Sequence, residues 1–225
     1  MWGQDGTHLG RVRDGGTAIE SQVIRDRGSL SIIGLHTGRS ADHRDVVELI
    51  EATALTRDSY PLVYGRDNGS IYHHPDVLAH LAEHQVIVLR SLPRTPQHNG
   101  ATECSIGELK ATAQLGKGCR LDMAAAETRM EAAAARLNNN RMRASKEFKT
   151  SRELDEKLAR PEASRRALFY QLCRSRMQAA LVGQKSVRAG RMAEREAIFR
   201  TLEEFGFIKR TQGGNRYVSK SEIIL

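Results

Sequence analysis

The sequence predicts an α/β domain with a mixed sheet and flanking helices, followed by a basic and mainly helical C-terminal region. Three observations support this. Short β-type segments separated by turn residues fill the first third of the chain, and helix-type and strand-type segments then alternate up to about residue 115. Beyond residue 116, apolar residues recur at helical spacing. An antiparallel meander followed by alternating helices and strands favours a mixed sheet with helices on both faces.

The predicted strands are short and bounded by turn residues. The first three are residues 2–9, "TAIESQVI" at 17–24 and "SLSIIGL" at 29–35, separated by "RDGG" and "RDRG". Two more are "PLVY" at 61–64 and "VIVL" at 86–89. The last is a continuous apolar run, as expected of a strand buried on both faces.

Three helices are predicted among these strands. The first, residues 41–55, has Ser40 as its predicted N-cap and an apolar face formed by Val46, Val47, Ile50 and Ala54. The second, residues 75–83, directs Val77, Leu78 and Leu81 inward, and the third runs over residues 101–115. This order of elements is that of the ribonuclease-H-like fold, although periodicity alone does not separate it from other α/β arrangements.

The remainder divides into a helical connection at 117–160 and a basic C-terminal region at 161–225, after a first domain at 1–116. Met123, Met130 and Leu137 recur every seven residues on an Ala-rich helix, which predicts a docking face. Residues 141–161 form a charged connection with a short helix, and residues 162–183 a basic amphipathic helix. A last helix stops at Gly206, and "TQGGN" predicts a hairpin after it. Such an end fits a winged-helix-like DNA-binding unit and equally a small α/β cap without a ligand.

The charge of the chain is unevenly distributed. Residues 1–116 hold 11 Lys and Arg against 14 Asp and Glu, a net charge of −3, whereas residues 117–225 hold 24 against 13, a net charge of +11. This asymmetry favours a core joined to a part that binds nucleic acid; the alternative is a set of solvated, Arg-rich helix faces.

Composition also limits the protein class. The apolar runs are too short to cross a bilayer, and the N-terminus lacks a signal-peptide core. Three cysteines without CxxC spacing predict neither a disulfide framework nor a zinc site. We therefore expect a cytoplasmic protein, associated with the nucleoid through DNA and not with a membrane.

Three carboxylates lie where metal-dependent chemistry on nucleic acids would need them. Asp67 ends a predicted strand, Asp5 lies within the first strand, and Glu103 opens a helix after a Pro- and Gly-containing loop. Phosphoryl transfer on DNA commonly uses carboxylates that hold two divalent cations about 3.5–4 Å apart. Gly107 and Lys110 share the helical face of Glu103, which suits a passing phosphate backbone. Taken alone, however, "DNGS" at 67–70 is ordinary turn composition.

The order and spacing of three sequence motifs favour a metal-dependent site formed by these carboxylates. "W..D.T" at residues 2–7, "DNGS" at 67–70 and "TPQHNGATE....LK" at 95–110 resemble the catalytic core shared by DDE transposases and retroviral integrases. Between Asp67 and Glu103 lie 35 residues, the spacing that characterises the D,D(35)E family. The resemblance covers about residues 1–115, roughly half of the chain.

The resemblance implies a site and a reaction. Asp5 would bridge two Mg²⁺ (or Mn²⁺) ions, with Asp67 sharing one and Glu103 the other. The reaction would be in-line attack on a DNA phosphodiester, by water in nicking and by a 3′-hydroxyl in strand transfer. DNA contacts would come from the residues Arg94, Gln97, His98, Asn99 and Lys110. The partners would be element ends, target DNA and further copies of the chain.

Three departures from the family leave alternatives open. The sequence starts almost on the first catalytic strand, without the N-terminal helix-turn-helix that reads element ends. Cys104 follows the glutamate where Arg or Asn is common, and Gly6 replaces a β-branched residue beside Asp5. The alternatives are a ribonuclease-H-like nuclease that only hydrolyses, and a truncated, dormant transposase that only binds DNA.

Overall fold

A six-stranded mixed sheet forms the centre of the molecule. The computed structural model describes residues 1–13, 16–92, 100–158, 160–211 and 214–217. Strands follow the order β3-β2-β1-β4-β5, and β6 pairs with the end of β1. The strands are β1 (Trp2–Val12), β2 (Ala18–Asp26), β3 (Ile32–Gly38), β4 (Val63–Arg66), β5 (Ile87–Arg90) and β6 (Arg120–Leu121). The pairs β1–β2 and β2–β3 are antiparallel and β1–β4 and β4–β5 are parallel, which confirms the predicted mixed sheet.

Strand β1 bends near its end, where a bulge interrupts its pairing with β2 between His8 and Gly10. Gly10 has φ +151°, and a Cβ there would lie 2.6 Å from the carbonyl oxygen of Cys119. That close approach lets the backbone N–H of Arg11 donate to the same oxygen at 2.9 Å. A glycine is therefore required where the chain brings β6 beside β1.

The sheet is covered on one face by α1 (His43–Thr56) and α2 (Pro75–Glu83), with a short 3₁₀ helix, Ser70–His73, between β4 and α2. Val46, Ile50, Val77 and Leu81 are buried there, as predicted, whereas Val47 and Leu78 are half-buried. The predicted N-cap Ser40 is wrong. Asp42 caps α1 because its carboxylate accepts from the N–H groups of Arg44 and Asp45, and the N–H of Asp42 donates to the carboxylate of Asp45.

The opposite face is covered over β1–β3 by α3 (Gly100–Ala113) and α4 (Met123–Asn140). Met130 and Leu137 are buried and Met123 is partly buried in one hydrophobic cluster with Leu9 and Leu109, so the predicted docking face is confirmed. The segment predicted as a helical connection thus contributes β6 and α4 to the packing of the sheet. The division into domains at residues 116 and 160 stays a prediction.

Helices from the C-terminal half cover β4 and β5 on that same face. After α5 (Ser151–Lys157), the long helices α6 (Ala163–Leu181) and α7 (Val187–Glu204) pack as a pair. Phe169, Ile198 and Leu202 are buried together with strand residues Val63 and Leu89. The basic region is therefore packed directly against the sheet.

The described part of the chain ends in the predicted hairpin. Gly206 terminates the helical segment with φ +75°, and β7 (Ile208–Thr211) pairs antiparallel with β8 (Gly214–Tyr217). Whether this helix and hairpin act as a winged-helix unit stays a prediction. None of the helices in the described part of the chain is long and apolar enough to span a membrane.

Truncating Met130 should test whether α4 is integral to the core. Met130 is fully buried, so we expect Met130→Ala to lower the free energy of unfolding by about 2–5 kcal/mol in urea denaturation. Met142 is 63% exposed and provides a matched control. Met142→Ala should change the stability by less than about 0.5 kcal/mol, and equal effects of the two substitutions would contradict the packing of α4.

Candidate active site

Asp5 and Asp67 occupy corresponding positions on neighbouring parallel strands. Gln4 pairs with Arg66 at the end of the β1–β4 ladder, so the next residue on each chain is an aspartate. Adjacent strands are about 4.8 Å apart, which brings the two aspartate positions side by side at the carboxyl end of β4. The structure thus brings together two of the three predicted carboxylates.

The face on which Asp5 lies follows from strand alternation. Asp5 pairs with Val23, which is buried in the cluster formed with α3 and α4, and residues directly opposite each other on paired strands share a face. Asp5 is therefore on the α3 side of the sheet. It is half-buried, and its Oδ1 accepts from the N–H of Gly6 at 2.9 Å.

Asp67 both begins a turn and lies at a strand end. Its Oδ1 accepts from the backbone N–H of Gly69 at 2.8 Å, the interaction that closes an Asx turn. The chain then continues into the 3₁₀ helix at Ser70, while the carboxylate of Asp67 stays half-buried at the end of β4. The turn composition of "DNGS" and a functional role for Asp67 are compatible, because the turn fixes the carboxylate at the sheet edge.

Glu103 lies on the first turn of α3, on the same side of the sheet. The neighbouring Thr102 is buried, and its Oγ1 would lie 3.3 Å from a Cβ added at Gly3 of β1. The start of α3 is therefore packed across β1, two residues before Asp5. Glu103 itself is exposed, as is Gly107 one turn later, and Lys110 is half-buried. The roles of the three carboxylates as metal ligands stay a prediction.

A buried polar network supports the two aspartates from the α1–α2 side. Tyr72 donates to Oε1 of Gln22 at 2.6 Å, Gln4 Nε2 donates to the same oxygen at 3.3 Å, and Tyr64 donates to Gln4 Oε1. All four side chains are at most 4% exposed. Burial, followed by the charges of Asp67 and Asp5, raises the pKa of Tyr72 well above its usual range. Tyr72 thus stays neutral beside the carboxylates.

This network also explains why residue 6 is a glycine. A Cβ at this position would lie 2.8 Å from Nε2 of Gln22, whose side chain is held by its bonds to Tyr72 and Gln4. A β-branched residue would displace Gln22. Gly6 is therefore part of the packing beside Asp5, and not merely a point of looser strand structure.

Cationic side chains gather on the other side of Asp67. Arg66 is 1% exposed, and its pKa is lowered to about 10 by burial and then by the charge of Arg90. Its NH2 shares a hydrogen bond with Nδ1 of His73 at 3.3 Å, while its Nε and NH1 have no hydrogen-bond partner within the described ranges. Arg191 of α7 donates to Oδ1 of Asn68 at 3.0 Å and to the carbonyl of Ser91 at 3.2 Å.

This arrangement joins the C-terminal region to the "DNGS" turn. Arg191 lies more than 120 residues away in sequence, so no local motif indicates its contact with Asn68. The sequence gives a weak indication of a role for Arg66, which is a charged residue at the end of an apolar strand. It gives no indication for Gln4, Gln22 and Tyr72, because buried polar partners are recognised only after the strands are paired.

Four residues that were predicted to contact DNA lie outside the described residues, so their contacts stay predictions: Arg94, Gln97, His98 and Asn99. Cys104 is exposed. His73 and His74 have different partners, since His73 contacts Arg66 and His74 caps α2.

A pocket at the opposite end of the β1–β4 pair does not overlap this site. It is lined by Met1 and Trp2 at the start of β1 and by Leu62 before β4, together with residues of the C-terminal region. It contains none of the predicted site residues within the described part of the chain. The candidate active site is instead an open edge of the sheet.

Solved structures with a similar backbone include retroviral integrases. A chain of the simian T-cell lymphotropic virus intasome, solved with PP2A regulatory subunit B56 gamma, superimposes with a TM-score of 0.58 at 17% identity over 72% of this chain and 55% of its own length. The HTLV-2 integrase catalytic core domain in complex with magnesium, in its trimeric form, gives 0.53 at 14% identity over 68% and 94%. No protein-family model and no curated protein matches the sequence. At these identities the likeness shows the fold alone: it is the ribonuclease-H-like fold of integrase catalytic cores.

The raised pKa of Tyr72 predicts a specific loss of stability at alkaline pH. A group that holds its proton more tightly when folded contributes its full stability below its unfolded pKa, near 10 for tyrosine, and loses it as pH rises further. We expect the drop in unfolding free energy between pH 10 and 11 to be smaller by about 1 kcal/mol in Tyr72→Phe than in wild type. Equal drops, measured by urea denaturation, would show that Tyr72 ionises as readily in the folded protein as in the unfolded chain.

Proposed function

We propose that this chain is the core of a DDE-type transposase or integrase that nicks DNA and transfers strands with the help of divalent metal ions. The observation that carries the proposal is the pairing of Gln4 with Arg66 at the end of the β1–β4 ladder, which is followed by Asp5 on one chain segment and Asp67 on the other, with Glu103 on the helix packed across β1. The 35-residue spacing from Asp67 to Glu103 adds to it. The HTLV-2 integrase core with a similar fold was solved with magnesium.

The donor set fits hard divalent cations. Asp5, Asp67 and Glu103 offer only oxygen atoms, which Mg²⁺ prefers and Mn²⁺ also accepts. The strand spacing of about 4.8 Å between the aspartate positions is compatible with carboxylates that serve ions about 3.5–4 Å apart. Asp5 would contact both ions, Asp67 one and Glu103 the other. When bound, the ions would supply nucleophile activation and stabilisation of the departing oxygen.

The protein's own groups would prepare the site for a phosphodiester. The Asx turn holds Asp67 in one orientation, and neutral Tyr72 adds no further negative charge beside it. Arg90 is exposed and Arg191 half-buried at the same edge, where they would contact phosphates flanking the reacting one. Lys110, two turns after Glu103, would contact the backbone along α3.

The proposed reaction also implies the partners of the protein. The protein would act on element ends and target DNA as a homo-oligomer assembled on DNA, within the cytoplasm at the nucleoid. Its basic second half, with 24 Lys and Arg against 13 Asp and Glu, supports binding to a polyanion. A nuclease that only hydrolyses would share the site but produce no joined strands.

Replacing the carboxylates should abolish nicking. In assays of supercoiled plasmid with Mn²⁺ or Mg²⁺, we expect Asp67→Asn and Glu103→Gln to lower the nicking rate by about 10²-fold or more, because the loss of a metal ligand removes several kcal/mol of transition-state stabilisation. DNA binding should persist in both variants.

Two exposed carboxylates on α4 provide matched controls. Asp122 caps α4 without a side-chain hydrogen bond, and Glu131 is exposed, so Asp122→Asn and Glu131→Gln should nick like wild type. Equal rates in all five proteins would reject the three-carboxylate site and leave DNA binding as the function. Nicking without joined products from a 3′-hydroxyl substrate would instead favour the hydrolytic nuclease.

The arginines beside Asp67 should contribute to DNA affinity through phosphates. Removing one cationic side chain that neutralises a phosphate lowers the slope of log K against log salt by about 0.9 on duplex DNA. We therefore expect Arg90→Gln and Arg191→Gln each to reduce the slope by about one, as measured by fluorescence anisotropy across a salt series. Arg129 is exposed on α4, and Arg129→Gln should leave the slope unchanged. A reduction seen equally in the control would mean that only net charge matters.

A further inference from the structure

Two histidines and an aspartate converge at the start of the two helices on the α1–α2 face. His43 is the first residue of α1, His74 caps α2, and Asp76 lies in the first turn of α2. One ligand atom from each of these three residues lies within 4.8 Å of the other two. Asp76 Oδ2 is 3.4 Å from His43 Nε2 and 3.4 Å from His74 Nδ1.

From this cluster we propose a zinc site that is separate from the three carboxylates. A tetrahedral Zn²⁺ ion holds nitrogen and oxygen ligands at about 2.0–2.2 Å, so its ligand atoms are about 3.3–3.5 Å from one another. The two distances from Asp76 match that edge length. Two imidazoles and one carboxylate leave the fourth position to a water molecule.

The three side chains are accessible from solvent. The His43 ring is 24% exposed, the His74 ring 40% and the Asp76 carboxylate 67%, so an ion can reach them from solvent. The two rings are stacked with centroids 3.6 Å apart and an interplanar angle of 16°, so both rings lie beside the carboxylate of Asp76. Binding one ion requires the rings to tilt apart so that both nitrogen lone pairs point at it.

The chemistry of the donors separates this site from the proposed catalytic one. Imidazole nitrogen suits Zn²⁺ and Co²⁺, whereas Mg²⁺ prefers oxygen ligands. The cluster is therefore expected to select a different metal from that held by Asp5, Asp67 and Glu103. Its existence does not depend on the proposed strand-transfer activity.

The position of the cluster indicates a structural role. Asp67 is followed by the Asx turn and the 3₁₀ helix Ser70–His73, and the segment ends at His74. An ion shared by His74, Asp76 and His43 would fix the end of that segment to α1. It would therefore stabilise the connection that begins at the candidate active site without touching the reacting atoms.

The test is metal binding by the full-length protein in excess Mg²⁺, which occupies the oxygen-ligand site. We expect titration with Zn²⁺ by calorimetry to show one equivalent per chain, and Co²⁺ to give the intense visible absorption of tetrahedral coordination. Zinc at about 100 times its Kd should raise the Tm by about 5–10 °C. His43→Ala and Asp76→Asn should each weaken zinc binding by about tenfold or more.

His36 supplies the matched control, because its ring is exposed on β3 outside the cluster. His36→Ala should retain the full equivalent of zinc and the same rise in Tm. The proposal is overturned if wild type binds no zinc in excess Mg²⁺, or if His43→Ala and His36→Ala bind it equally. Plasmid nicking by His43→Ala with Mg²⁺ separates the two proposals, since removal of the zinc site should leave the three carboxylates able to act.

Discussion

The parallel pairing of β1 with β4 is the constraint on which the candidate site depends. The two strands come from segments separated by about 60 residues, and only their register places Asp5 and Asp67 at the same level. A shift of one residue would turn one aspartate to the opposite face of the sheet. The register is held by side chains on both faces, with Trp2 and Tyr64 buried against α1 and α2, and Gly3 and Gly65 leaving room on the other face. The core packing that fixes the register of these strands therefore also fixes the positions of the two aspartates.

The C-terminal half is part of this architecture. Helices α6 and α7 cover β4 and β5, and Arg191 reaches past the strand ends to the turn after Asp67. A purely appended DNA-binding tail would have no reason to contact Asn68. The charge asymmetry along the sequence therefore becomes a spatial asymmetry, with positive side chains at the edge where the carboxylates lie. Both halves of the chain therefore contribute charged side chains to this edge of the sheet.

The sequence predicted elements whose signals are local. The alternation of strands and helices, the buried run at residues 86–89, the stripe of Met130 and Leu137, and the terminal hairpin were all recognisable from periodicity and turn residues. The N-cap of α1 was misjudged because Ser40 and Asp42 are both good caps and only Asp42 has Asp45 three residues later to complete a capping box. Long-range partners could not be predicted: Gln22 is a buried hydrogen-bond partner only because β2 lies beside β1, and His43 approaches His74 only after two helices pack.

The two faces of the sheet separate an aspartate from a buried arginine at this edge. Asp5 shares a face with α3, whereas Arg66 pairs with Gln4 in the ladder and lies on the opposite face. Arg66 is buried and shares a hydrogen bond with His73, and two of its three guanidinium nitrogens have no hydrogen-bond partner among the described residues. The carboxylate of Asp67 instead accepts from the backbone N–H of Gly69 in the turn. The lowered pKa of Arg66 reflects burial first and the neighbouring arginines next, so the cationic group is incompletely compensated. Arg66 is therefore a buried cation on the α1–α2 face, whereas the carboxylate of Asp5 lies on the face that α3 covers.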